Sequence, residues 1–141
     1  MSIEAASNIE FGNKKLQDET IIGGSGGFDP AYTITVTLNG NAPNNWAPTG
    51  LTAETQAIII IGNNKKVDIK NLDRSLMTNG KAILIINAKN GNAEVKIKKN
   101  NGGNASNRFL MDKDFKLKPG GAMNFISLDV LDRWGIQFGK F

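Results

Sequence analysis

Short apolar runs on a two-residue period, each cut off by asparagine and glycine, most limit what this chain can fold into. Tyr32, Ile34, Val36 and Leu38 alternate with Thr33, Thr35 and Thr37 and stop at Asn39-Gly40. Ala93, Val95 and Ile97 alternate with Glu94, Lys96 and Lys98, and Phe115 and Leu117 alternate with Lys116 and Lys118 before Pro119-Gly120-Gly121. A period of two puts apolar side chains on one face of an extended strand. The β-branched content suits that pleated surface. No amphipathic helical period of useful length competes; Ser127 to Arg133 has room for a single turn.

Two further runs are apolar without alternation: Ala57 to Ile61, closed by Gly62-Asn63-Asn64, and Ala82 to Ile86, which follows Asn79-Gly80. Such runs read as strands buried on both faces. A hairpin is expected between Ala57–Ile61 and the alternating Val67, Ile69 and Leu72. Ala122 to Asp129 and Trp134 to Phe138 supply the last strands. With 18 asparagines and 16 glycines in 141 residues, turns are plentiful, because both residues accept the backbone angles that turns require. The sum is an all-β chain, expected to be an antiparallel β-sandwich of jelly-roll type.

Residues 1–22 lack a clear period, and Gly23-Gly24-Ser25-Gly26-Gly27 follows them. A run of that kind suits a flexible hinge, the competing reading being a first strand and glycine-rich loop within one domain. Residues 1–27 are therefore expected to form an extended N-terminal arm and hinge, and 28–141 the sandwich body.

The composition excludes much chemistry. Without cysteine or histidine there are no disulfides, no thiolate or imidazole metal sites and no Ser-His-Asp catalysis. Asp112 and Asp114, and Asp129 and Asp132, are close in sequence, but their surroundings read as turns rather than as a paired-carboxylate site. Asp112-Lys113-Asp114 lacks the calcium-loop pattern. Gly23 to Gly27 lacks the Lys-Ser/Thr ending of a phosphate loop. No enzyme, metal or cofactor is expected. The longest apolar run, Ala57–Ile61, is far short of the roughly 20 residues of a membrane helix, and Met1 to Ser7 has no secretory pattern, so no membrane association is expected.

The lysines and one loop hold the remaining binding signals. Lys96, Lys98 and Lys99 would meet Lys116 and Lys118 if their strands paired. Without interleaved aromatics this reads as a solvated, aggregation-resistant face and not a nucleic-acid site. In Asn44-Asn45-Trp46 an indole among amides could stack on a sugar ring, plug the end of the sandwich or sit in a subunit contact. Packing is the preferred reading.

One ordered set of motifs is more specific. It runs Asn104-Ala105-Ser106-Asn107-Arg108-Phe109, then Leu117-Lys118-Pro119-Gly120-Gly121, then Leu128-Asp129, then Arg133-Trp134, with Pro48-Thr49-Gly50-Leu51 and Ile85-Ile86-Asn87 upstream. This resembles small β-domains of tailed-bacteriophage virion structural proteins: head decoration proteins, head fibres and tail-fibre tips. The match covers Ala47 to Ile136 and departs at Leu128-Asp129, where the family more often has a tyrosine before the aspartate. Read physically, Arg108, Phe109, Pro119, Gly120, Arg133 and Trp134 are scaffold residues, with the Arg108 guanidinium placed to bond loop carbonyls or Asp129.

The resemblance implies a non-enzymatic virion protein, assembled in the host cytoplasm and trimeric. Lack of a repeat-built shaft favours a capsid-exterior decoration or head-fibre protein over a tail fibre. In that role the arm, through Ile3, Ile9, Phe11, Leu16, Ile21 and Ile22, would dock on the major capsid protein or another virion protein. The alternative is a tail-fibre module that binds a receptor or host-surface glycan.

Overall fold

The computed structural model describes residues 30–61, 64–88 and 93–137. The chain divides into units 1–33 and 34–141. The expected arm and hinge, with Ile3, Ile9, Phe11, Leu16, Ile21 and Ile22, lie outside the described residues.

The described chain is all β apart from the single 3-10 turns Pro30–Tyr32 and Ala105–Asn107. Its strands are β1 (Thr33–Val36), β2 (Ala57–Ile60), β3 (Val67–Ile69), β4 (Ala82–Asn87), β5 (Val95–Ile97), β6 (Phe115–Leu117), β7 (Ala122–Leu128) and β8 (Arg133–Gln137). They form a five-stranded sheet, ordered β8-β7-β4-β2-β1, and a three-stranded sheet, ordered β3-β5-β6.

Both sheets are mixed, which corrects the antiparallel expectation. β2 runs parallel to β4, with Ile58 opposite Ile85, and β3 runs parallel to β5, with Val67 opposite Val95. The expected hairpin between β2 and β3 is absent for the same reason: the two strands belong to different sheets. The chain crosses between sheets after β2, β3 and β4, so β2 pairs with β4 and β3 with β5, each pair running the same way. Parallel strands need a crossover between them, and here the crossover is a strand of the other sheet.

After β5 the path reverses. β6 is antiparallel to β5 and β7 to β4. β4–β5 and β6–β7 are thus the two arms of one long hairpin bent across both sheets. Asn87 pins the bend. It is fully buried, and its side-chain amide donates to the carbonyls of Ala93 (2.9 Å) and Leu117 (2.8 Å). Its backbone exchanges bonds with Gly121 and Gly120 at 2.9 and 2.7 Å. An apolar residue here would leave the bending backbone without those donors.

The period-two pattern decides which faces meet. Ile58 and Ile60 on β2, Ile83 and Ile85 on β4, and Phe125 on β7 are fully buried, as are Ile69, Val95 and Ile97 from the three-stranded sheet. All belong to one hydrophobic core. Each such aliphatic side chain contributes about 1.5–3 kcal/mol by leaving water. Phe109 stacks tilted on Phe125 with ring centroids 4.6 Å apart.

Candidate functional site

The loops at 41–46, 71–77 and 98–109 meet, and asparagine side chains join them. An amide both donates and accepts, so one asparagine can bridge two loops. Asn45, with φ +55°, donates its backbone N–H to Oδ1 of fully buried Asn71. Asn71 Nδ2 donates to the Asn101 carbonyl at 2.8 Å. The Asn45 Oδ1 accepts the Asn104 N–H at 2.7 Å and Asn107 Nδ2 at 3.0 Å. Gly103 lies under this knot with φ +53°, and a Cβ there would stand 2.6 Å from Asn45 Oδ1.

The backbone at Leu72 is where the motif segments converge. Its N–H donates to the Asn107 carbonyl at 3.0 Å, and its carbonyl accepts Nε1–H of Trp134 at 2.8 Å. Trp46 pairs with Leu72, and Phe109 with Trp134, as isolated backbone bridges. The Asp73 N–H donates to the Trp46 carbonyl at 2.8 Å. Trp46 is 5% exposed and Trp134 fully buried; both indoles belong to the core. Asn44 is exposed and Asn45 half-buried. Arg108 donates from Nε to the Gly102 carbonyl (2.8 Å) and from Nη2 to that of Gly103 (3.3 Å). Arg133 donates from Nε to Asn100 Oδ1 at 3.2 Å. Pro119 and Gly120 sit elsewhere, at the centre of the turn closed by the Gly121 N–H on the Lys118 carbonyl at 2.8 Å, with Gly120 at φ +87°.

Asp129 is held by Arg74, a residue that sequence reasoning passed over. Arg74 is 8% exposed. It donates from Nε to the Ser106 carbonyl (2.7 Å), and from Nη1 to Ser127 Oγ (3.0 Å) and Asp129 (2.9 Å). Nη2 bonds Asp132, which takes φ +52°. This guanidinium underlies a polar cleft of about 350 Å³ shared by Asp73, Ser75, Asn104 and Ser106. Both Asp129 and Asp132 are engaged by the arginine, which ties these chain segments together. Among the described residues no three acidic side chains come together as a metal site would require, and no helix is long and apolar enough to cross a membrane.

The outer faces of the two sheets differ in kind. On the five-stranded sheet, Ile59, Leu84, Ile86, Ile126 and Leu128 lie opposite the core-facing residues and are half-buried. On the three-stranded sheet every outward position is charged. Asp68, Lys96 and Lys116 stand in one row across β3, β5 and β6. Extending the register by one position on each side gives Lys66, Glu94 and Lys118 in a second row and Lys70, Lys98 and Asp114 in a third.

Lys98 Nζ meets Asp114 Oδ2 at 2.8 Å, and Asp114 Oδ1 accepts the Lys99 N–H at 2.9 Å. The bond to Asp114 raises the Lys98 pKa above its ordinary value, and the same bond, with that from Lys99, lowers the carboxyl of Asp114. The sequence held the signal for this face, since Lys96 and Lys116 needed only the β5–β6 pairing to meet.

Comparison with protein-family models, with curated proteins and with solved structures returned no match.

Proposed function

We propose that this chain is a non-enzymatic structural subunit of a tailed-bacteriophage virion, a decoration or head-fibre protein on the capsid exterior. Its body is a jelly-roll-like β-sandwich, it assembles as a homotrimer, and its N-terminal arm docks on the capsid. The observation that carries this reading is the role of the motif residues. Asn107, Arg108, Asp129 and Trp134 are bonded to one another's neighbours around Leu72 and Arg74. They act as scaffold, and the resemblance to virion domains rests on scaffold residues. A rigid body whose loops are tied by buried amides suits a particle component exposed to the environment.

Immunogold labelling of purified particles with an antibody to the body tests this. Label over the head is expected. Label at the tail tip would transfer the reading to a receptor-binding fibre module, and unlabelled intact particles would remove the virion assignment. Deleting residues 1–22 should abolish attachment to the capsid and leave the body folded; attachment that survives the deletion would refute docking by the arm.

A further inference from the structure

The geometry points to the outer face of the three-stranded sheet as a binding surface for an acidic polysaccharide. This goes beyond the structural role proposed above and does not depend on it. The face is a lattice of six lysines and three carboxylates, one carboxylate in each row across β3, β5 and β6. Each row therefore keeps one lysine in excess. Residues 30–137 as a whole are basic, so the surroundings reinforce the attraction for an anion. Lys66, Lys116 and Lys118 are exposed, and the Lys98–Asp114 pair holds the middle strand's last lysine in place.

The carboxylates choose between anionic partners. A duplex nucleic acid offers only acceptors along its backbone, and Asp68, Glu94 and Asp114 would repel it. The face also has neither arginine nor an aromatic platform for bases. Protein interfaces shed lysine, glutamate and aspartate from their centres. A polyuronate matches the lattice: its carboxylates meet the lysine ammonium groups, and its hydroxyls donate to Asp68 and Glu94 between them.

The test is binding of the full chain to polygalacturonate, measured by biolayer interferometry in about 50 mM salt, where screening is moderate. The comparison ligand is a DNA duplex of equal total charge. Wild type should bind the polysaccharide more tightly than the duplex. The Lys116→Gln/Lys118→Gln variant should lose roughly three- to thirtyfold in affinity, the worth of two exposed ion pairs. Lys81→Gln, which removes one positive charge away from this sheet, should lose little. Asp68→Ala with Glu94→Ala should narrow the preference by strengthening the duplex complex. Absence of polygalacturonate binding, equal or tighter duplex binding, or binding indifferent to the paired lysine substitution would each overturn the proposal. None of these results depends on where particles are labelled, so the virion reading stands or falls separately.

Discussion

At Gly103 the requirement for glycine is twofold. The residue takes φ +53°, and the Asn45 amide oxygen occupies the place of a Cβ. Gly103→Ala should cost roughly 2–3 kcal/mol, the left-handed penalty for an alanine plus displacement of the amide, seen as a lowered urea midpoint. Arg74 is the residue whose loss should tell most about the cleft. Arg74→Met would strip donors from Ser106 and Ser127, but the Asp129 and Asp132 side chains are 63% and 66% exposed and can rehydrate. The expected cost is therefore about 2 kcal/mol rather than the 3–5 of a fully buried broken pair. A loss as large as the buried case would mean that the two carboxylates depend on Arg74 more than their exposure implies.

For the strands, the bend in the long hairpin is the sensitive point. Asn87→Ala removes two amide bonds to the turning backbone and should cost about 2 kcal/mol. Thermal melts of Asn87→Ala beside Ile85→Ala, whose cavity costs about 2–5 kcal/mol, compare the polar and apolar holds on the same strand. The Lys98–Asp114 pair ties β5 to the entry of β6 and gives stability a defined pH window. The Lys98 pKa lies above its ordinary 10.5, so its contribution is complete below 10.5 and is lost as pH rises through the folded value. That of Asp114 lies below its ordinary 3.8, so its contribution is complete above 3.8 and is lost as pH falls through the folded value. Asp114→Asn should lower the melting temperature between those limits and converge on wild type outside them. Melts that differ equally at every pH would disprove this linkage.

In the whole molecule, two sheets share one core but turn unlike faces outward, one charged throughout and one largely aliphatic. The proposed trimer is a property at this scale. Light scattering at micromolar concentration should return three times the 15.2 kDa chain mass, and a particle of single-chain mass would refute assembly in solution.

The strands themselves were legible because alternation and turn chemistry are local. The runs at Val95–Ile97 and Phe115–Leu117 were identified from period two, and Asn79-Gly80 marked the approach to β4. Trp46 and Trp134 stand out in the sequence, and packing is the favoured reading of Trp46. Arg74 and Asn71 leave no such trace, since a single polar residue in a loop carries no periodic signal of burial. The parallel pairs had one local trace, the unalternating runs Ala57–Ile61 and Ala82–Ile86, which suit strands covered on both sides. Pairing order itself was invisible, and the β2–β3 hairpin was expected where the chain in fact changes sheet. Local backbone preference determines where a strand begins, ends and turns its apolar face. Which strand lies beside it depends on contacts between residues far apart in the chain, and those are decided only when both sheets close on a common core.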